Sequence, residues 1–241
     1  MRAPRRPDLP TDEQPHLPRP ARKEIERVLG KGPRADDVAL ALSVGSDAID
    51  LGRIDVALEA LTWAKHEASR VAAVREALGV ARYLDEDFAG ALTELQAYRR
   101  ISGRVDQNHL VADCLRGLGR ATDRIVEPLE ELLGDERVGD DRRAEAIIVW
   151  AATLADDGQL EGARALLRRH LGRKGADRAA AEDLRVHVLA AELADRAADA
   201  DEAREHRRVV ASAEPELLEQ AEVSDEAGPD ATGRPSPPPE S

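Results

Sequence analysis

Apolar residues recur through the middle of the chain at spacings of three, four and seven, which places them on one face of a helix. Ala57 is followed in this way by Leu61 and Ala64, and Ala91 is followed by Leu95. Ala, Leu, Arg and Glu dominate this part of the chain, and all four are strong helix formers. The pattern predicts a series of amphipathic helices that pack through apolar stripes.

The helical pattern repeats. Gly45 and Gly79 are 34 residues apart, and so are Ala57 and Ala91. In each copy a small residue precedes an Ala by twelve positions, and a short polar turn lies between them. The same spacing joins two later pairs, which are Ala151 with Ala163 and Ala191 with Ala203. The spacing predicts pairs of helices that approach closely at the small residue.

A weaker copy lies between these pairs. Ala112 is its small residue, and Leu118-Gly119-Arg120 echoes the turn Leu51-Gly52-Arg53. Arg124 replaces the expected Ala, and Pro128 falls inside the second helix. Because proline is tolerated in the first turn of a helix, we expect this second helix to begin late.

The 34-residue frame, its small first-helix residue and its second-helix Ala resemble the tetratricopeptide repeat (TPR). The family's usual first-helix Trp is missing, since Trp63 and Trp150 stand elsewhere in the frame, and other helical-hairpin repeats remain open. The resemblance implies an all-α fold, a right-handed α-solenoid of about five TPR-like helix–turn–helix repeats. The side chains expected to be buried in such a stack are Leu61, Leu95, Ile147, Trp150 and Leu167.

Proline marks the expected ends of the array. Seven of the 14 prolines lie between Pro4 and Pro33, and six lie between Pro215 and Pro239. Proline blocks a helix interior, and these segments are too polar for a core of their own. We therefore expect a disordered Pro/Arg-rich arm over 1–35 with a short helix over 22–29, a repeat domain over 36–214, and a disordered acidic tail over 215–241.

Composition narrows the functional classes. A net charge of -13 argues against a large nucleic-acid footprint. Cys114 is the only cysteine, so no internal disulfide can form. The N-terminal sequence has no apolar stretch typical of a signal peptide, and we expect a cytoplasmic protein. The 31 Arg and 4 Lys are typical of a GC-rich bacterial genome.

The sequence offers no motif that predicts catalysis. The six histidines are scattered without metal-ligand spacing, and Cys114 lies on an Ala/Leu helix face. No glycine-rich phosphate or dinucleotide loop follows a predicted strand. We expect no catalytic residue, no cofactor and no metal, and we do not expect an enzyme.

The TPR resemblance places the exposed faces of the first helices on a concave, partner-binding surface. The residues mapped to it are Ser46, Ile49, Asp50, Glu76, Val80, Tyr83, His109, Asp113, Arg116, Ile148, Ala152, Glu192 and Asp195. Within this set, we expect Val80, Tyr83 and Ile148 to act as apolar anchors, with Glu76 and Asp113 selecting charge. Since only Arg116 in it is clearly basic, the predicted ligand is a basic or amphipathic segment of an unknown protein.

Three alternatives stay open at this level. The acidic residues of the first helices could simply keep an Ala-rich array in solution. The protein could be an oligomeric structural protein that associates through an array end. It could also contact nucleic acid through the basic N-terminal arm, although the overall charge disfavours that function.

Overall fold

The computed structural model describes residues 4–9, 15–172 and 183–213, and these ranges contain eleven α-helices and no strand. The helices are α1 Arg19–Leu29, α2 Pro33–Asp50, α3 Ile54–Glu67, α4 Ala72–Leu84, α5 Phe88–Ser102, α6 Asn108–Gly117, α7 Thr122–Gly134, α8 Asp140–Asp156, α9 Leu160–Gly172, α10 Leu184–Arg196 and α11 Ala200–Ala213. The prediction of an all-α chain of helix–turn–helix repeats is confirmed for the described part of the chain.

The chain forms two compact units, Met1–Gln159 (unit 1) and Leu160–Ser241 (unit 2). In unit 1, α2 pairs with α3, α4 with α5, and α6 with α7. The first helices of these pairs also contact one another in order, from α2 to α4, α6 and then α8. They form one layer of the stack, and the second helices form the other. In unit 2, α10 packs against α9 and α11.

The paired helices of unit 1 meet at glycine. A Cβ atom added to Gly45 would lie 2.5 Å from Cγ of Leu61, and one added to Gly79 would lie 2.7 Å from Cδ2 of Leu95. Each leucine follows its glycine by the same sixteen positions in the chain. The absence of a side chain at the first helix therefore lets the leucine of the second helix pack onto its backbone.

The turns inside the hairpins share one backbone geometry. A residue in the left-handed region follows the first helix in each copy, with Gly at three of these positions. The five are Gly52, Glu86, Gly119, Gly158 and Ala198. In every copy the next residue's N–H donates to the carbonyl five positions earlier, as in Arg53 to Ala48 at 2.8 Å. Gly adopts this geometry without steric cost, so its frequency follows from the turn.

The weak third copy keeps the hairpin in spite of its proline. Helix α7 begins at Thr122, and Pro128 lies buried inside it. The expectation that this helix begins late, with Pro128 in its first turn, is wrong. Pro128 stands sixteen positions after Ala112, at the position that Leu61, Leu95 and Leu167 occupy in three other copies. Its carbonyl accepts a hydrogen bond from Asn108 Nδ2 at 3.0 Å, which ties α6 to α7 at this point.

Most of the predicted core residues are buried. Leu61, Leu95, Ile147 and Leu167 are at most 6% exposed. Trp150 is only half-buried, because it packs at the rim of the core that α6, α7 and α8 share. The prediction of a buried indole at this position is therefore wrong.

The N-terminal arm differs from its expected disorder. Leu9 is 4% exposed within the core of unit 1, and Ile25 of α1 is fully buried there. Arg6 also donates a hydrogen bond to Asp37 at 2.8 Å. The short helix expected over 22–29 is found within α1. Disorder does not hold for residues 4–9 or for the other described residues of the arm, since two apolar side chains anchor this polar segment. The predicted acidic tail over 215–241 lies outside the described residues.

Replacing the contact glycines tests the close approach of the helices. We expect Gly45→Leu and Gly79→Leu each to lower the free energy of unfolding by about 1–3 kcal/mol through overpacking against the facing leucine. Urea denaturation followed by circular dichroism measures the change. Gly134→Leu is the control, because a Cβ at this helix end meets nothing within 4 Å. Equal losses at all three positions would contradict the packing explanation.

Docking of the N-terminal arm makes a second prediction. Leu9→Ala should lower the free energy of unfolding by about 2 kcal/mol or more, because it removes a buried aliphatic side chain. Leu51→Ala serves as the matched control, since Leu51 is 71% exposed and should contribute less than about 0.5 kcal/mol. A Leu9→Ala protein with unchanged denaturation would show that the arm does not dock.

Candidate functional site

Unit 1 carries a groove of about 860 Å³ over its layer of first helices. Its walls come from α1 and the residues before it, from α2 and α4, from the C-terminal end of α5, and from the first turn of α8. The lining residues are Leu17, Pro18, Pro20, Ala21, Glu24, Arg27, Leu42, Ser46, Ile49, Asp50, Ala72, Ala73, Glu76, Ala77, Val80, Tyr98, Ile101, Ser102, Arg104, Gln107 and Arg142. Apolar side chains and charged side chains are both present in this wall.

The structure brings five of the residues mapped to the concave surface together in the groove. Ile49 and Asp50 reach it from the end of α2, and Glu76 and Val80 reach it from α4. Ser46, which the same mapping put on this face, also lines it. These positions recur on one side of neighbouring first helices, so the repeat frame was sufficient to group them.

Helix α1 contains the short helix expected over 22–29, but its role as a wall of the groove was not predicted from the sequence. Its Glu24 accepts hydrogen bonds from the N–H groups of Ala72 at 2.8 Å and Ala73 at 3.4 Å. These are the first amides of α4, whose own N-cap residue Val71 provides no side-chain hydrogen bond. The carboxylate therefore caps α4 from another helix and fixes α1 beside the groove.

The segment before α1 is tied to the same face. The N–H of His16 donates to Ser43 Oγ of α2 at 2.9 Å, and Leu17 packs against the core while it lines the groove. Periodicity could not identify these residues, because they precede the first repeat. Their only sequence signal is a short apolar segment within a proline-rich stretch.

A polar network occupies the end of the groove near α6. Gln107 Nε2 donates to Glu76 Oε1 at 2.7 Å, and the Tyr98 hydroxyl donates to Asp106 Oδ1 at 2.8 Å. Burial raises the pKa of Glu76 above its usual value. Burial and the nearby Glu76 and Asp106 carboxylates also raise the pKa of Tyr98. Both pKa shifts favour the uncharged forms of the side chains that face this end of the groove.

Tyr83, Asp113 and Arg116 form a separate network and do not line the groove. The Tyr83 hydroxyl donates to Asp113 Oδ2 at 2.6 Å, while Arg116 donates to Asp113 at 2.9 Å and to Asp156 at 2.9 Å. The Tyr83 ring also lies 6.1 Å from the ring of Phe88. These polar groups already bond to each other. Any partner-binding role predicted for Tyr83, Asp113 and Arg116 therefore belongs to a surface outside the groove.

His109 and Ile148 also differ from expectation. His109 is 3% exposed, its Nδ1 lies 3.1 Å from the Asp106 carbonyl, and its Nε2 lies 3.5 Å from Arg142. It lies inside unit 1, not on the predicted concave surface. Ile148 is half-buried and is not part of the groove wall. Helix α8 reaches the groove instead through Arg142 in its first turn.

The charges of the groove correct the expected acidic surface. Three arginines line it, Arg27, Arg104 and Arg142, against three carboxylates, Glu24, Asp50 and Glu76. Arg116 was expected to be the basic residue here and is absent from the wall. Sequence reasoning missed the arginines because they lie at or outside the ends of the repeat helices.

Other chemistry is not apparent in the described ranges. Residues 4–9, 15–172 and 183–213 contain no group of three His, Cys, Asp or Glu side chains placed to hold a metal ion. No helix in these ranges is both long and apolar enough to cross a membrane. Burial raises the pKa of the Cys114 thiol to about 12, which keeps it protonated and unreactive near neutral pH.

The buried His109 predicts a pH dependence of stability. Burial, and then the charge of Arg142, lower the pKa of His109 to about 4. The unfolded chain takes up this proton near pH 6.5, whereas the folded protein takes it up only near pH 4. The contribution of neutral His109 to the free energy of unfolding is therefore complete above pH 6.5 and is lost as the pH falls towards 4. We expect His109 to account for a loss on the order of 3 kcal/mol across this window.

The measurement is urea denaturation from pH 7 to pH 4 for the wild type and His109→Gln. The variant should show a shallower decline over this window, since it lacks the titrating group. His66→Gln is the control, because it makes the same change at an exposed position of α3. Parallel curves for the wild type and His109→Gln would contradict the assignment.

Comparison with known proteins gives a limited result. No protein-family model matches the chain, and no curated protein matches it. A solved structure described as "YrrB: a TPR protein with an unusual peptide-binding site" is similar at 13% sequence identity and a TM-score of 0.47. The match covers 77% of this chain and 90% of that one.

Proposed function

We propose that this protein is a protein–protein interaction scaffold and that it binds a segment of a partner protein in the groove of unit 1. The observation that carries the proposal is the combination of apolar and charged side chains along one continuous depression of the first-helix layer. Helical repeats of this kind commonly present such surfaces to extended or helical segments.

The apolar part of the groove supplies the binding surface. Ile49 of α2 and Val80 of α4 are partly exposed in it, and Ile101 of α5 is 39% exposed. An apolar side chain that covers these groups removes their surface from water, at about 25 cal/mol for each Å². The charged groups around them then determine the orientation and selectivity of the bound segment.

Self-association has less support. The large apolar side chains that are exposed in the described ranges are Leu51, Leu84 and Ile101, and Ile101 already belongs to the groove. Leu51 and Leu84 lie at the ends of α2 and α4. Interfaces of obligate oligomers are larger and more apolar than two such residues provide.

Nucleic-acid binding through the arm also has less support. Arg6 pairs with Asp37, Arg22 with Asp36 and Glu26, Arg27 with Glu24, and Arg34 with Glu67. These carboxylates neutralise much of the positive charge that phosphates would need to meet. We therefore favour the groove over the arm as the functional surface.

The test compares binding by groove variants with binding by a matched control. The full chain is used to capture partners from its native host, and the partner is then purified and titrated by calorimetry. Val80→Arg should weaken binding by about tenfold or more, because it places a charge on the apolar wall. Leu84→Arg makes the same change on the same helix at an exposed position outside the groove and should bind like the wild type.

Circular dichroism and thermal melting must show that Val80→Arg is folded. Ile101→Arg provides a second groove variant from a different helix, with the same expected loss of affinity. A partner that binds both groove variants as tightly as it binds Leu84→Arg would place the interaction outside the groove and refute the proposal.

A further inference from the structure

The end of the groove near α6 contains a buried hydrogen-bond acceptor without a donor. Gln107 is 5% exposed and lines the groove. Its Nε2 donates to Glu76, but its Oε1 has no hydrogen-bond partner within the described residues. An unpaired buried carbonyl costs about 1–3 kcal/mol relative to a bonded one. A native protein that keeps such an atom at a surface groove has an acceptor ready for a donor that enters it.

Glu76, beside this amide, carries a second unused acceptor. Its carboxylate is half-buried, and Gln107 bonds only one of its oxygens in the described part of the structure. No Lys, Arg or His nitrogen in that part lies within 4.0 Å of it. Burial raises the pKa of this carboxyl group, and the charges of Arg104 and Arg142 offset that rise only in part.

Within the described ranges, the arginines that line the groove pair with other carboxylates and form no ion pair with Glu76. Arg104 forms an ion pair with Asp106, and Arg27 lies 3.9 Å from Glu24. The nearest carboxylate to Arg142 is the neighbouring Asp141 at 3.7 Å. Among the described residues, Asp50 and Glu76 are therefore the groove carboxylates without an ion pair. The complement of the groove at these positions is a positive charge.

We infer, on the basis of the function proposed above, that Glu76 and Gln107 form a subsite for a basic side chain of the bound segment. A lysine ammonium or an arginine guanidinium carries several N–H donors and no acceptor, which matches a free carboxylate oxygen beside a free amide oxygen. Gln107 Oε1 is buried, and rotation about the soft terminal torsion brings it to a donor in the groove, with the Nε2 bond to Glu76 exchanged for the bond from the cation.

A basic side chain fits this subsite better than a neutral donor. A neutral amide would satisfy Gln107 but would leave the Glu76 charge uncompensated in a place that burial makes less polar. A cation satisfies both groups and forms a charge-assisted hydrogen bond with the carboxylate. Its aliphatic stem then packs along Ala77 and Val80 of α4, which line the same wall.

The test uses a random peptide library displayed on phage, selected against the immobilised full chain. Parallel selections use Glu76→Gln, Val80→Arg and the control Glu127→Gln, which makes the same chemical change at an exposed position of α7 outside the groove. We expect the wild type and Glu127→Gln to enrich peptides with Lys or Arg at one position beside apolar residues. We expect Glu76→Gln to lose this preference.

Synthetic peptides from the selection then measure how far the affinity for a basic side chain depends on Glu76. The basic peptide should bind Glu76→Gln about tenfold or more weakly than the wild type. A peptide with Met in place of the basic residue should bind the two proteins with equal affinity. Gln107→Leu removes the second acceptor, and it should weaken binding of the basic peptide more than binding of the Met peptide.

The outcomes separate this inference from the function on which it rests. Peptides that lose binding in Val80→Arg but show no preference for Lys or Arg would refute the subsite and leave the groove as a binding surface. The same follows if the basic preference survives Glu76→Gln unchanged. If no selected peptide depends on Val80, the proposed groove function fails, and the subsite fails with it.

Discussion

The close approach of two helices at a residue without a side chain is the contact on which the rest of unit 1 depends. Gly45 and Gly79 bring the leucines that follow them by sixteen positions directly onto the first-helix backbone. The first helices of successive hairpins also contact one another and form a continuous layer. The opposite side of that layer is the floor of the groove, so the packing residues determine where Ile49 and Val80 stand.

A buried carboxylate links neighbouring hairpins in a different way. Glu94 of α5 is fully buried, and it accepts hydrogen bonds from Lys65 of α3 and Arg75 of α4, each at 2.5 Å. Burial alone raises the pKa of Glu94, but the bonds from Lys65 and Arg75 outweigh it and hold the pKa below its usual value. Loss of one partner would leave a charge in the core at considerable cost. The cluster therefore fixes how the first hairpin sits on the second, which apolar stripes of Ala and Leu specify less precisely.

The sequence predicted the features that depend on local spacing. The all-α repeat, the contact glycines, and the groove positions Ile49 and Val80 all follow from a period that is visible along the chain. The roles of His109 and Tyr83 did not follow, because their neighbours in space come from other helices. Glu24 shows the same limit, since it caps α4 across 48 residues of sequence. A frame derived from repeats has no information on such contacts, and it cannot distinguish a surface residue from one that a neighbouring helix covers.

The docking of α1 has a consequence for binding. Helix α1 supplies the cap that α4 does not supply for itself, and its residues form one wall of the groove. A segment bound in the groove would therefore contact α1 as well as the first helices of the repeats. A ligand that binds only when α1 is docked stabilises the docked arrangement by mass action. By the same linkage, a change that undocks α1 lowers the affinity of the groove for that ligand. The stability of the N-terminal segment and the affinity of the groove are then two measurements of one equilibrium.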